Sequence, residues 1–255
     1  VVSFTKNLRD PTGSKYLNKL VKNTVDNFKP NLVILGHADK IDSAMLNDLK
    51  IKYKNMGFSQ WFLDPLSKYG PDYEKNKSRI LDKDKVCDAS FVTTHPDVLD
   101  FSINNAHYMP NPCDKSLDYL ENFNTKQEYD LFYAISHGVH RGILRRDKID
   151  EREIFISKLK HKSKNIKFDT YGMFGIQPVW GDEFLKRLSN SKMAINLSRG
   201  RPVKYYSSDR IAQLMGNGLL TFIDKKTEYS DFFDDDELIF YNDMDDLKDK
   251  IKRFV

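Results

Sequence analysis

The stretch that decides the fold runs from Ser207 to Asp224 and has the sequence SSDRIAQLMGNGLLTFID. It predicts a short capped helix, a stop at Gly216-Asn217-Gly218, an apolar strand and a carboxylate where the strand ends. A helix that leads directly into a buried strand is one step of a parallel β/α sheet.

Arg210 is the unusual residue of this stretch. A cation in the first turn of a helix opposes the positive end of the helix dipole, at a cost of about 0.3 kcal/mol when exposed. The placement becomes favourable when an anion binds there, held by the helix N-terminus and the guanidinium together. The alternative is a surface arginine paired with a nearby acidic residue.

Composition narrows the class of protein. The 255 residues are 40% hydrophobic and 13% aromatic, which is enough for one large or two medium cores. The net charge of +4 is a small difference between 41 basic and 37 acidic residues. Nucleic acid is therefore not expected as a partner, since its binders carry a clustered basic face. The charge is compatible with an anionic ligand or a peripheral association with an acidic membrane surface.

Cysteine usage and hydropathy indicate a compartment. The two cysteines, Cys87 and Cys113, lack metal-ligand spacing, which favours a reduced, cytoplasmic location that includes the inner face of the membrane. No apolar run of about 18 residues predicts a transmembrane helix, and no signal peptide is visible. Because the sequence begins with Val1 rather than Met, we expect that an N-terminal segment precedes it.

The apolar pattern predicts an α/β fold of two Rossmann-like domains that face a cleft. Helical and strand-like apolar segments alternate, as in parallel βαβ units. The predicted strands are 32–36, 59–63, 89–93, 106–109, 129–135, 166–171, 193–197, 219–224 and 238–241. A polar segment at 114–127 separates the halves, so we place one domain at 1–120 and a second at 121–255. Ligands of such sheets bind beyond the carboxyl ends of the strands.

Loops at strand ends of the second domain, with the helix at Arg210, are the candidate anion site. Glycine lets a backbone approach a phosphate, cations pair with it, and tyrosines suit a flat ring such as a nucleobase. The predicted binding residues are Ser136, His137, Gly138, Arg141, Arg199, Lys204, Tyr205, Tyr206, Asp209, Arg210 and Gln213. The alternative is a set of ordinary solvated loops whose tyrosines pack on their own domain.

Two residues of the first domain are candidates for catalysis. His37 follows the first strand, and an imidazole that titrates near about pH 6.5 suits a general base. Asp64 follows the second strand and has similar standing. A histidine that only makes loop hydrogen bonds is the alternative. The acidic run Asp234-Asp235-Asp236 precedes a strand, which favours a solvated turn, so no metal site is predicted.

Six segments occur in an order known from one enzyme family. They are Trp61–Pro65, Asp88–Thr93, His107–Pro110, Tyr129–Tyr133, Lys192–Asn196 and Arg210–Gly218. This ordered set resembles GT-B fold glycosyltransferases, specifically the CgeB-like (spore maturation protein) branch of group 1. The resemblance covers most of residues 30–255.

The resemblance implies an enzyme of the hexosyltransferase type. It would move a sugar from a nucleotide-diphosphate donor to a glycan or glycolipid-type acceptor, such as a cell-envelope polysaccharide, without a metal or other cofactor. The C-terminal domain would bind the donor and the N-terminal domain the acceptor. Arg141, Lys204 and Arg210 would stabilise the leaving diphosphate, while Tyr205 and Tyr206 would pack against the nucleotide.

Two departures from the family pattern leave alternatives open. Where the family has a glutamate this chain has Gln213, which hydrogen-bonds but carries no charge. A non-catalytic nucleotide-sugar or glycan-binding module is therefore the competing hypothesis, and a sugar-nucleotide epimerase is a third. The opening strand and glycine loop of the fold are not evident before Lys15, which implies a first domain shortened at its N-terminus.

Overall fold

The computed structural model describes residues 12–136 and 150–255, which divide into two compact units. The first unit comprises the chain up to Lys68 together with Asp72–Met109, and the second comprises Tyr69–Pro71 and the chain from Pro110. The predicted domain boundary at residue 120 lies further along the chain than this division.

The segment that follows Pro110 is tied to the second unit by hydrogen bonds. The amide of Leu120 donates to Oδ1 of Asn217 (3.2 Å), and the amide of Asn122 donates to the carbonyl oxygen of Asn217 (3.0 Å). Its polar composition suggested a linker, but its polar side chains add to this attachment: Oδ1 of Asp118 accepts from Nδ2 of Asn217 (3.0 Å), and Nδ2 of Asn122 donates to the carbonyl oxygen of Leu188 (2.7 Å).

The first unit has a single four-stranded parallel sheet in the order β1-β2-β3-β4. Its elements are α1 (Ser14–Phe28), β1 (Leu32–Leu35), α2 (Ser43–Lys52), β2 (Gly57–Phe62), α3 (Tyr73–Asp84), β3 (Ala89–Val92) and β4 (Ala106–Tyr108). Because parallel crossovers are right-handed, a strand order that follows the chain places each crossover helix on the same face. Val33 and Leu35 of β1 pack in the core, whereas Leu32 and Ile34, on the other face, are 52% and 64% exposed.

The second unit has a five-stranded parallel sheet in the order β6-β5-β7-β8-β9. Its elements are β5 (Tyr129–Ala134), α4 (Glu151–Lys162), β6 (Phe168–Tyr171), α5 (Gly181–Leu188), β7 (Ser191–Asn196), α6 (Arg210–Gly216), β8 (Leu220–Asp224), β9 (Ile239–Tyr241) and α7 (Met244–Lys252). The chain passes from β5 outward to β6 and then returns to β7 on the other side. The order therefore reverses between β5 and β7, and doubly wound sheets bind ligands at such a point.

The central strand β5 is apolar on both sides because it is covered on both sides. Leu131 and Tyr133 pack with Ile156 of α4 and Ile251 of α7. Phe132, which alternates with them, packs in a separate cluster that includes residues of α5 and α6. A strand buried on both faces is a near-continuous apolar run, as the sequence indicated.

The predicted α/β architecture with parallel sheets is confirmed, and each predicted strand is present within two residues of its expected ends. The short helix predicted at Arg210 is present as α6, but the predicted side-chain cap is not. Asp209 has helical backbone angles (φ −49°, ψ −21°), and its side chain makes no capping hydrogen bond. A capping residue needs an extended backbone to turn its side chain back onto the first amides.

Candidate functional site

A cavity of about 240 Å³ lies at the carboxyl end of β5, where the strand order of the second unit reverses. Its walls come from the end of β5, the start of α5 and the start of α6. Residues in these walls include Phe132, Ser136, Trp180, Asp209, Arg210 and Gln213. The structure therefore brings together four of the predicted binding residues, which are Ser136, Asp209, Arg210 and Gln213.

The guanidinium of Arg210 joins the two strands at this reversal. Its Nη1 donates to the carbonyl oxygen of Leu197 (3.0 Å) and to Oγ of Ser208 (3.2 Å), and its Nη2 donates to the carbonyl oxygen of Ala134 (3.4 Å). All three acceptors are neutral. Within the described parts of the chain no carboxylate lies within 4.0 Å of this guanidinium. The positive charge of Arg210 is thus oriented by its neighbours but not compensated by them.

A second arginine, Arg152, lies in the first turn of α4 and is only 8% exposed. Its Nε and Nη2 donate to the two carboxylate oxygens of Asp150 at 2.8 and 2.7 Å. Burial alone would raise the pKa of Asp150, but its hydrogen bonds with Arg152 outweigh burial and lower it. Unlike Arg210, Arg152 has its charge compensated inside the protein.

Trp180 is a site residue that the sequence analysis missed. Its side chain lines the cavity, it is 52% exposed, and it immediately precedes α5. Below it, Phe132 and Phe184 pack edge to face with ring centroids 5.6 Å apart. An exposed indole beside a fixed cation suits a ligand that carries both a flat ring and a negative charge. The signal available in the sequence was an aromatic residue between a strand-end loop and a helix.

The loop that was predicted to hold a nucleotide makes other contacts. Lys204 Nζ lies 3.3 Å from a carboxylate oxygen of Glu228, and the hydroxyl of Tyr205 donates to Asp231 (2.6 Å). The ring of Tyr205 also packs against Phe232 at 4.6 Å. These partners follow β8 and could not be anticipated from the loop itself. Arg199, Lys204, Tyr205 and Tyr206 do not line the cavity, and His137, Gly138 and Arg141 lie outside the described residues.

A second cavity, of about 220 Å³, lies in the first unit at the carboxyl ends of β1 and β2. Residues in its walls include His37, Asp39, Trp61, Arg79, Asp82 and Lys83. Arg79, on α3, is the centre of the arrangement. Its Nε donates to Asp39 and its Nη1 to Asp64, both at 2.7 Å, and its Nη2 lies 2.7 Å from Nε2 of His37.

The contacts of Arg79 affect the two predicted catalytic residues, His37 and Asp64, in different ways. A guanidinium has only donors, so Nε2 of His37 accepts from Arg79, and the lone pair that a general base needs is already used. Asp64 gives one carboxylate oxygen to Arg79, and its side chain remains 39% exposed. Asp39 has the same exposure and was not predicted as a site residue. Burial would lower the pKa of Arg79, but hydrogen bonds to both carboxylates raise it.

The remaining sequence features concern metal binding, the acidic run, the cysteines and membrane-spanning helices. Among residues 12–136 and 150–255, no group of three or more His, Cys, Asp or Glu side chains is arranged to hold a metal ion. Asp234, Asp235 and Asp236 are exposed in a turn. Cys87 is buried and Cys113 exposed, both as free thiols. In the same described ranges, no helix has the length and apolar character needed to cross a membrane.

Comparison with protein families finds one related model. A family described as glycosyl transferase-like matches residues 145–255, which lie in the second unit. No curated protein matches the sequence.

Solved structures resemble the whole chain. A UDP-forming α,α-trehalose-phosphate synthase from Burkholderia xenovorans aligns with a TM-score of 0.57 at 7% identity, over 95% of this chain and 70% of that one. The synthase from the same organism in complex with glucose-6-phosphate gives 0.54 at 8% identity, over 97% and 70%. The N-terminal domain of trehalose-6-phosphate phosphatase from Candida albicans gives 0.53 at 10% identity, over 99% and 69%.

At such low identity these similarities show the fold alone. The chain has an α/β fold with parallel sheets that resembles GT-B glycosyltransferases. The family match adds that residues 145–255 are similar to glycosyl transferase-like domains.

Proposed function

We propose that this chain is a glycosyltransferase that takes a sugar from a nucleotide-diphosphate donor bound in the cavity of the second unit. The acceptor would bind in the cavity of the first unit, and no metal would take part. The observation that carries the proposal is the uncompensated guanidinium of Arg210 at the strand reversal. The sugar phosphate bound to one structural neighbour supports a sugar as the acceptor.

The geometry of Arg210 suits a diphosphate. A guanidinium has five N–H donors, and three hydrogen bonds to neutral acceptors hold the group in place. Within the described ranges, five donors less three leaves two donors for a ligand. An oriented donor of this kind costs little reorganisation when negative charge develops on the leaving diphosphate.

The rest of the cavity suits the nucleoside. The indole of Trp180 offers an exposed face on which a base can stack, and the amide of Gln213 can donate to and accept from ribose hydroxyls. Asp209, on the same wall, is exposed, and its carboxylate can accept a hydrogen bond from a hydroxyl group.

The chemistry then follows from these positions. An acceptor hydroxyl oxygen forms a bond to the anomeric carbon of the donor as the bond from that carbon to the diphosphate oxygen breaks. The electron pair leaves on the diphosphate, whose charge Arg210 stabilises. The hydroxyl proton passes to a base if the reaction inverts the anomeric centre, and to the leaving diphosphate oxygen if it retains it. Of the two candidates, Asp64 keeps an oxygen available, whereas the contacting nitrogen of His37 is occupied by Arg79.

The two tryptophans of the chain allow a direct test, because Trp61 lines the first cavity and Trp180 the second. In a Trp61→Phe variant, UDP, GDP and CDP are titrated while Trp180 fluorescence and thermal unfolding are recorded. We expect one nucleotide to quench the fluorescence and raise Tm by a few degrees, since a ligand that binds only the folded state stabilises it. A chelator should leave this binding unchanged.

Arg210→Met should abolish that response, whereas Arg253→Met, which removes an exposed arginine at the end of α7, should not. If no nucleotide produces a response, the proposal is wrong. Product formation with a panel of nucleotide sugars then separates a transferase from a binding module, which would bind the nucleotide without transfer.

A further inference from the structure

The cavity of the first unit also carries information about the acceptor. Its walls are charged, so the sign and pairing of these charges decide which acceptor groups can enter.

The charges of this cavity are compensated within the protein. Arg79 is shared by two carboxylates, Asp39 and Asp64, and its own side chain is only 14% exposed. Lys83 Nζ, with a side chain 7% exposed, lies 2.5 Å from Asp82. With Asp64, which binds Arg79 but does not itself line the cavity, three carboxylates contact two cations, which leaves one negative charge in excess around the cavity.

A phosphorylated sugar would meet two obstacles here. To reach Arg79, its phosphate would have to displace Asp39 or Asp64 and would then lie beside the displaced carboxylate. Lys83 offers no alternative, because it is buried and already paired. Like charges close together in a partly buried site repel each other more strongly than in water.

Hydroxyl and ammonium groups, by contrast, can hydrogen-bond to the carboxylates of this site. Asp39 and Asp64 each direct one oxygen at Arg79, and in the described ranges no second hydrogen bond engages the other oxygen of either carboxylate. Both side chains are 39% exposed. Ionised carboxylates are acceptors only, so they can receive hydrogen bonds from hydroxyls, and more strongly from ammonium groups.

We propose that the first cavity selects an acceptor sugar that carries hydroxyl or amino groups and no phosphate. This inference rests on the proposed function, because it assigns the acceptor to the first unit. It adds a selection rule: Arg79 serves to orient two carboxylates and does not itself bind an anion.

The test uses Trp61 as the local reporter. In a Trp180→Phe variant, saturation-transfer NMR and Trp61 fluorescence are recorded with matched sets of each sugar: the neutral form, the amino form and the 6-phosphate. Glucose, galactose and mannose provide three stereochemical sets. We expect binding by neutral or amino members of at least one set, and at least tenfold weaker binding by the matching phosphate.

The Asp39→Asn, Asp64→Asn double variant tests whether the two carboxylates are what excludes the phosphate. The amide oxygens can still accept from Arg79, but the cavity changes from one negative charge in excess to one positive. We expect the 6-phosphate to bind more tightly than the neutral sugar in this variant. The single Asp39→Asn variant should show a smaller shift, and the thermal unfolding transition of each variant reports that it is folded.

The inference is overturned if the phosphorylated member binds the protein with its carboxylates intact as tightly as its neutral counterpart, or if no member of any set binds. The proposed function fails separately, if nucleotides do not bind near Trp180. Nucleotide binding combined with tight binding of sugar phosphates would leave the proposed function standing and reject the selection rule.

Discussion

Arg79 in the first unit and Arg210 in the second occupy similar places, each beside a cavity at the carboxyl ends of parallel strands. Their surroundings are opposite. Arg79 donates to two carboxylates, whereas Arg210 donates to two backbone carbonyls and a hydroxyl. From this comparison we expect an arginine beside a strand end to mark an anion site only when its partners are neutral.

The largest effect is expected when a carboxylate is added beside Arg210. Ser208 Oγ lies 3.2 Å from Nη1 of Arg210, so Ser208→Asp should compensate the guanidinium as Asp64 compensates Arg79. We expect UDP, or the nucleotide that proves to bind, to lose about 10- to 100-fold in affinity, or about 1.4–2.7 kcal/mol. Isothermal titration calorimetry measures this loss. Ser208→Ala is the control and should change affinity by less than about threefold, or about 0.6 kcal/mol.

The next largest effect concerns stability. Arg79→Met leaves Asp39 and Asp64 without their shared cation, and we expect the free energy of unfolding to fall by about 2 kcal/mol, because the carboxylates are part-exposed and the arginine is not. Urea unfolding measures the change. Adding Asp39→Asn and Asp64→Asn to this variant should recover much of the loss. Absence of any recovery would mean that packing of Arg79, and not charge, holds the site.

A smaller effect is expected from a buried carboxylate whose pKa is raised. Burial is the main cause that raises the pKa of Asp169 on β6, whose Oδ2 has no hydrogen-bond partner in the described structure. A pKa raised in the folded state gives stability that is full below the unfolded value of about 3.9 and lost as pH rises through the folded value.

Asp169→Asn removes this titration. Its stability relative to the parent protein should therefore increase as pH rises from about 3 to 7, whatever the difference at acid pH. Thermal unfolding across that range provides the measurement. A relative stability that stays flat or falls with pH would contradict the shift at Asp169.

The smallest effect is expected at Lys204, whose ammonium is paired with Glu228 and part-exposed. Lys204→Ala should change the free energy of unfolding by less than about 0.5 kcal/mol, as is typical of exposed ion pairs. It should change nucleotide affinity less than about twofold, or about 0.4 kcal/mol. A larger loss of affinity would show that Lys204 leaves Glu228 to bind phosphate.

Much of the fold could be predicted because it depends on local patterns. The strand at Leu32–Leu35 and the apolar run of β5 are visible as periodicity, and parallel pairing follows from the helices between them. The position of Arg210 at a strand end could be predicted for the same reason. Its partners could not, because Ala134 and Leu197 reach it only through the pairing of β5 with β7.

The first site was harder to predict. His37 and Asp64 were found because each follows a strand, but Arg79 lies in the middle of α3, where nothing local distinguishes it from a solvated helix residue. Only the packing of α3 beside β1 and β2 brings it between them. The contacts of the loop at Lys204 could not be predicted for a related reason. Tyr205 has a positive φ of 58°, an uncommon angle for a tyrosine, which no pattern in the sequence indicates.

The position of β5 has a consequence for how the second unit folds. It is the first strand of its sheet in chain order, yet both of its edges are paired in the final structure, to β6 and to β7. During synthesis it therefore exposes an open edge until β7 has emerged, and such edges invite aggregation. Docking of β7 against β5 closes that edge and brings the carbonyl groups of Ala134 and Leu197 together in the same event. The pairing that protects β5 thus also positions two of the acceptors that orient Arg210.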